Sequence, residues 1–199
     1  INCAPFFDDE ELRNSIDAFL LAGALKLYRT NQTKKQFKHH TYFFTDSTNI
    51  ANHEGAKQRL ETLWESAGYN SALGLSRLKK LYETDFVLRS EHKKDRNYFP
   101  DSFEALKPFV FKAIEKIDQP FDGNGCVLMV NSDKSASSID FEVQDIWKMI
   151  VGGAKLSRGF TIEGLTTTYF RRRTQIQATL LQMGRWFGYR AGYRDLVRL

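Results

Sequence analysis

The side chains best suited to chemistry lie in two runs rich in glycine and arginine, residues 151–165 and 182–190. Glycine lets the backbone approach an anion closely, and arginine offers a planar, permanently charged group that can bind two phosphate oxygens at once. The pairing of these residue types predicts phosphate binding.

The first run follows a predicted strand and opens with Gly152 and Gly153. Two glycines permit a tight turn, after which backbone amides and hydroxyl groups can face a phosphate. The residues placed to contact a phosphate, a ribose or one another are Lys155, Ser157, Arg158, Thr161 and Glu163. The alternative is a strand-to-helix turn that needs the glycines and binds no ligand.

The second run places Gln182 and Arg185 three residues apart, on one face of a predicted helix. Arg190 follows a glycine at which the helix can end. A glutamine followed by two arginines resembles a nucleotide sensor, in which arginines balance the charge on a transferred phosphoryl group. Alternatively, the arginines stack on the neighbouring rings of Trp186, Phe187 and Tyr189.

The charge of the chain is concentrated in its last quarter. Residues 151–199 hold nine cations and two carboxylates, a net charge of +7, whereas the whole chain carries +5. Eight of the nine cations are arginines, three of them the consecutive Arg171, Arg172 and Arg173. Clustered arginine favours recognition of phosphate or carboxylate, with surface salt bridges as the alternative.

Helices and strands alternate along the chain. A helix is predicted from Asp8 to Arg29, with acidic residues at its start and Lys26 and Arg29 suited to its negative end. Strands are predicted at 41–45, 126–131, 147–151 and 166–170. A helix follows the first strand, and Thr174 with Gln177 forms a capping box for the last helix.

This alternation predicts an α/β fold in which a parallel sheet carries helices on both faces. The chain is expected to form one domain, with a helical insertion at about 69–120 in which Asp101 and Glu104 make a capping box and Pro108 bends or delays a helix. Ligands of such sheets bind at the carboxyl ends of the strands. Both runs are placed at or after such ends.

Composition predicts a cytoplasmic protein, because no apolar run approaches the roughly 18 residues of a membrane span. Cys3 and Cys126 lack metal-ligand spacing, and Cys126 lies in an apolar run that favours a buried thiol. The chain starts at Ile1, and residues 195–199 resemble a strand cut short. We therefore expect a piece of a larger protein.

Residues 151–198 closely resemble the Z-one domain, a family named as endonucleases and found in proteins of predicted bacterial defence systems. Its hallmark runs have the forms Gly-Gly-Asn-x-Leu-Ser-Arg-Gly-x-Thr-x-Glu-Gly-Leu and Gln-Met-Gly-Arg-Trp-Phe-Gly-Tyr-Arg-x-Gly-Tyr. Here they stand almost unbroken at 152–165 and 182–193, with Ala154 in place of the expected asparagine and Ala178 in place of an expected aspartate. The first 150 residues match the family in layout only.

The family in turn resembles the second RecA-like lobe of superfamily-two helicases and translocases. By this resemblance Arg158 and Gly159 sense nucleic acid and nucleotide, while Gln182, Arg185 and Arg190 form the arginine-finger helix. Thr161 replaces the aspartate of the helicase motif. The two arginines are also five residues apart instead of three, which leaves open which one is the finger.

The resemblance implies an ATP-dependent DNA translocase of a restriction or defence system. The chain lacks the Gly-x-x-x-x-Gly-Lys-Ser/Thr phosphate loop and a paired acidic motif for magnesium. ATP and magnesium would be held mainly by an N-terminal ATPase lobe absent from this chain. Its expected partners are that lobe, DNA and subunits of a defence system, and the chain alone should not turn over ATP.

Two other functions stay open. A metal-dependent endonuclease needs clustered carboxylates, for which the nearest candidates are Asp85, Glu91, His92 and Lys93, although a solvated run of charge explains them as well. A DNA-binding module without ATP coupling would use the same basic residues. His39 and His40 could face a phosphate, but two histidines without a third ligand rarely bind a metal.

Overall fold

The computed structural model describes residues 8–45, 50–90, 98–130, 139–152, 161–170 and 192–199. Its helices are α1 (Asp9–Thr33), α2 (Ile50–Glu65), α3 (Ala72–Leu81), α4 (Leu88–Ser90) and α5 (Phe103–Asp118), with a π-helical segment at Tyr82–Val87 and a 3₁₀ turn at Arg194–Leu196. Its strands are β1 (His40–Thr45), β2 (Val127–Val130), β3 (Trp147–Gly152) and β4 (Leu165–Phe170). None of these helices combines the length and apolar composition needed to cross a membrane.

The four strands form one parallel sheet in the order β2-β3-β1-β4. Phe44 of β1 lies level with Val151 on one side and with Tyr169 on the other. Each end of the four strands lies within one residue of its predicted position. The prediction works because strands buried in a parallel sheet are short, nearly continuous apolar runs. The predicted α/β class with a parallel sheet is confirmed.

The described helices pack on one face of the sheet. Tyr42, Phe44 and Met149 point to this face and share a core with apolar residues of α1, α2, α3 and α5. The opposite face presents Phe43 and Ile150, and the residues buried against it come from loops and strands: Ile139, Ile146 and Ile162 among them. Helices on both faces are therefore not observed among the described residues, and the helix predicted after Thr174 lies outside them.

Helix α1 begins as predicted, because the Asp8 carboxylate caps it by accepting the N–H groups of Glu10 and Glu11. It continues past the predicted end to Thr33, where Lys34 takes a left-handed conformation with φ of 60°. Lys26 and Arg29 are buried, so the prediction that they serve the negative end of the helix was wrong.

The described residues 72–90 and 98–118 are largely helical, as expected, but two details differ. Ser102, and not Asp101, caps α5, because its Oγ accepts the Ala105 N–H at 3.3 Å. Pro108 neither delays nor ends α5, which contains it as the sixth residue. Packing maintains the helix there: the Phe109 ring meets the Tyr28 ring of α1 edge-on at 5.4 Å.

The Cys126 thiol is buried at the start of β2, in agreement with the prediction from its apolar run. Burial raises its pKa to about 12, which keeps the thiol protonated and unreactive. Cys3 lies outside the described residues.

Candidate functional site

The carboxyl edge of the sheet is where the first glycine-arginine run begins. Gly152 is buried at the end of β3, level with Val130 of β2, and β4 ends at Phe170 on the other side of β1. The other predicted residues of this edge lie outside the described residues: Gly153, Lys155, Ser157, Arg158, Gly159, Arg171, Arg172, Arg173, Gln182, Arg185 and Arg190. Their roles stay predictions.

The last residues of the first run lie at the opposite, amino edge of the sheet. Thr161 and Glu163 are exposed there, and the Glu163 carbonyl accepts the Thr41 hydroxyl at 2.8 Å, at the start of β1. At about 3.3 Å per strand residue, Gly152 and Glu163 are about 20 Å apart. The structure therefore does not bring them together, since a run that joins two parallel strands must cross from one edge to the other.

Gly164 occupies a position at the amino edge that requires glycine. Its φ is +71°, and a Cβ added there would lie 2.4 Å from the carbonyl carbon of His39. Its own carbonyl accepts the Thr41 N–H at 3.2 Å and the Lys26 ammonium at 2.8 Å. Only glycine combines this backbone conformation with this close approach.

Lys26 is a fully buried cation that connects both runs. Its Nζ donates to the carbonyl oxygens of His39, at 3.0 Å, and Gly164, at 2.8 Å, and lies 4.0 Å from the centre of the Tyr193 ring. Two carbonyl dipoles and an aromatic face replace the water that a buried ammonium loses.

Arg29, one turn further along α1, holds the segment that follows the second run. Its two terminal nitrogens bind the Asp195 carboxylate at 2.8 and 2.6 Å, and one of them also donates to the Gly192 carbonyl at 2.8 Å. Asp195 accepts a third hydrogen bond from Ser90 at 3.1 Å. Burial by itself raises the pKa of Asp195, but the hydrogen bonds and charge of Arg29 outweigh it and place that pKa below its ordinary value.

Lys26 and Arg29 thus fix the ends of both runs against α1. Gly164 is the second-last residue of the first run, and Gly192 and Tyr193 lie two and three residues after the second run. Sequence analysis missed this arrangement, although one signal was present: Lys26 falls three residues after Gly23 on the apolar stripe of the helix.

Neither histidine of the predicted pair faces a phosphate at the carboxyl edge. His39 accepts the Ile146 N–H through Nδ1 at 3.4 Å, and its Nε2 lies 3.6 Å from the Glu163 carboxylate. His40 is fully buried, stacked on Phe19 at 4.3 Å, and its Nε2 is 2.8 Å from the Phe19 carbonyl. Both histidines serve the packing of the amino edge.

The burial of His40 predicts a loss of stability in acid. Burial, followed by the charge of Lys26, lowers the pKa of His40 well below its ordinary 6.5. Because the folded pKa is the lower one, the neutral ring stabilises the fold above about pH 6.5, and this contribution is lost as the pH falls. We expect the free energy of unfolding, measured in urea, to fall from about pH 7 to about pH 5. The fall should be smaller in His40→Gln, and an equal fall in both proteins would contradict the assignment.

Asp85, the candidate for a nuclease site, is held by two arginines. Its carboxylate accepts Arg89 Nε and Arg198 Nε, each at 2.5 Å, and the Arg198 guanidinium lies 4.2 Å from the Phe86 ring centre. This carboxylate is therefore neutralised inside an ion-pair cluster. Its predicted neighbours Glu91, His92 and Lys93 lie outside the described residues.

A cavity of about 520 Å³ lies beside the edge strand β4 and the first turn of α1. Its charged lining residues are Asp8, Glu11, Asp85 and Arg198. Three carboxylates against one guanidinium disfavour a phosphate here. Arg171, Arg172 and Arg173, which follow the lining residue Phe170, lie outside the described residues, so their role stays a prediction.

Comparison with known proteins identifies the family. The family model of the Z1 domain matches residues 11–199, which covers both runs and nearly the whole chain. No curated protein and no solved structure matches the chain. The match extends the resemblance seen in the last quarter to the helices and strands that precede it. The chain belongs to the Z1 domain family.

Proposed function

We propose that this chain is the second, RecA-like lobe of an ATP-dependent nucleic-acid translocase of a restriction or DNA-defence system. The observation that carries the proposal is the position of two strand ends. β3 and β4 flank β1 and run in the same direction, so Gly152 and Phe170 reach the same edge of the sheet. That edge is where parallel α/β sheets bind ligands.

The spacing of these ends suits one shared ligand. Two strand spacings of about 4.8 Å separate β3 from β4, which sets Gly152 and Phe170 about 10 Å apart. Residues 153–158, which include Lys155 and Arg158, follow Gly152 in sequence. The three arginines 171–173 follow Phe170. In this proposal they contact nucleotide and nucleic acid, while Gln182, Arg185 and Arg190 supply the charge-balancing helix.

The proposal differs from the sequence-based prediction in the role of Thr161 and Glu163. Thr161 and Glu163 lie at the amino edge, about 20 Å from Gly152 by strand rise. We therefore assign them no contact with a nucleotide at the carboxyl edge. Lys26 and Arg29 gain a role, since they fix the ends of the two runs that carry the site.

ATP and magnesium fit this chain as a half-site. Among the described residues, no group of three His, Cys, Asp or Glu could hold a metal ion. An N-terminal lobe would hold both, and ATP would supply the free energy for movement along DNA.

The isolated chain is expected to hydrolyse ATP at the background rate only. In the full-length protein, Arg185→Ala or Arg190→Ala should lower kcat about 10³-fold or more, because an arginine finger acts on the transition state. Steady-state ATPase assays with saturating DNA measure both effects. Arg89→Ala is the matched control and should leave kcat unchanged. This arginine is 60% exposed, and it pairs with Asp85 one helical turn away.

Two outcomes contradict the proposal. One is ATP turnover by the isolated chain, which would require a complete site. The other is full-length ATPase that survives both arginine substitutions while DNA binding weakens, which would favour the DNA-binding module without ATP coupling. The endonuclease alternative loses support because Asp85 is already paired with Arg89 and Arg198.

A further inference from the structure

The loop between α1 and β1 forms the centre of a basic surface at the amino edge of the sheet. Residues 34–38 include Lys34, Lys35 and Lys38, all exposed, and contain no carboxylate. These lysines lie at the opposite edge from the carboxyl ends of β3 and β4. They belong to neither of the two arginine-rich runs.

Folding adds two cations to this loop. Lys116, near the end of α5, has its Nζ 5.2 Å from the Trp147 ring, and the same indole donates to the Lys38 carbonyl at 3.0 Å. Arg194 is exposed and follows Tyr193, whose ring meets Phe37 edge-on at 5.9 Å. Three separate segments therefore bring five cations to one surface, which we call the amino-edge patch.

Among the described residues, two carboxylates lie on the His39 side of the amino-edge patch. Asp145 and Glu163 lie beside His39, and Glu163 is the residue that faces the His39 ring. Elsewhere in the described chain, surface lysines alternate with carboxylates along helices, as in Lys57–Glu61, Lys79–Glu83 and Lys107–Glu104. Residues 34–38 lack such alternation, and the five cations of the patch outnumber its nearby described carboxylates Asp145, Glu163 and Glu115, the last of which precedes Lys116 in α5.

We propose that the amino-edge patch is a second nucleic-acid contact surface that binds the phosphate backbone without reading sequence. Lysine is a flexible point charge, suited to phosphate contacts that position a backbone, whereas base reading relies on planar groups. Five cations spread over three segments match a line of repeated phosphates better than a single small anion. The inference shares its ligand class with the proposed function and uses different residues.

The test is DNA binding by the 199-residue chain, measured by fluorescence anisotropy with a labelled duplex of mixed sequence. The triple variant K34E/K35E/K38E should bind at least about tenfold more weakly, and the slope of log K against log salt should fall by about 2 to 3, since each phosphate contact contributes about 0.9. The matched control K79E/K80E/K107E makes the same change of net charge at two exposed lysines of α3 and a half-buried lysine of α5. It should stay within about threefold of the unmodified chain.

Equal weakening by both triple variants would overturn the inference, because net charge alone would then explain it. No weakening by K34E/K35E/K38E would overturn it as well, as would binding of poly-glutamate in place of DNA, which points to an acidic protein. Thermal unfolding followed by circular dichroism checks that the substitutions leave the fold intact.

The same experiments separate this inference from the proposed function. Arg185→Ala and Arg190→Ala act on the proposed site alone. If they reduce full-length ATPase while K34E/K35E/K38E leaves DNA binding unchanged, the inference fails and the proposed function stands. If the lysine variant loses DNA binding while both arginine variants keep full ATPase, the proposed function fails and the inference stands.

Discussion

Asp195→Ala should lower the free energy of unfolding by about 3–5 kcal/mol, the usual effect of removing one partner of a buried ion pair. Arg29 is 3% exposed and Asp195 is 1% exposed, so the substitution leaves a buried guanidinium without its carboxylate. Ser90 and the Gly192 carbonyl cannot replace that charge. Urea denaturation of the two proteins at neutral pH measures the difference.

Two further variants make this result interpretable. Asp9→Ala removes the partner of Arg59 in an ion pair whose side chains are 46% and 40% exposed, and should cost only about 1 kcal/mol or less. The double variant Arg29→Met with Asp195→Leu removes both charges and should recover part of the lost stability. A cost below about 1 kcal/mol for Asp195→Ala would show that the buried pair is not a main anchor of residues 192–199.

The sequence predicted the sheet well because the relevant signals are local. Residues 41–45 of β1 read Thr-Tyr-Phe-Phe-Thr, a run of β-forming residues, and Asp8 stands directly before the first amphipathic helix. Strand type, helix start and the parallel class depend on residues close to one another in the chain. These features can therefore be predicted without knowing the fold.

The buried cations could not be predicted in this way because their partners are distant in sequence. Lys26 binds a carbonyl 138 residues away, and Arg29 binds Asp195 across 166 residues. In the sequence, a lysine and an arginine near the end of a helix are explained locally by the negative end of the helix dipole, and this is the role predicted for Lys26 and Arg29. Only the fold reveals that both side chains turn inward.

For the first glycine-arginine run, the sequence predicted where the run begins but not how far it extends across the sheet. Glycines after a strand correctly indicated that the first run starts at the carboxyl edge, where Gly152 lies. The extent of the run was misleading, because fourteen consecutive hallmark residues suggest a single site although the chain must cross the sheet to reach β4. The run therefore joins Gly152 at the carboxyl edge to Gly164, the glycine that packs its far end against His39 at the amino edge.

Gly164 provides the sharpest test of that docking role. Gly164→Ala should lower the free energy of unfolding by about 3 kcal/mol, since a left-handed conformation strains alanine and the added methyl group meets the backbone of His39. Gly55→Ala is the matched control, because a Cβ there meets nothing within 4 Å and alanine favours the helix α2 by about 1 kcal/mol. Urea denaturation should therefore move in opposite directions for the two variants. If Gly164→Ala unfolds like the unmodified chain, the end of the first run is not fixed against His39 and Lys26, and its glycine would have to be explained by a ligand instead.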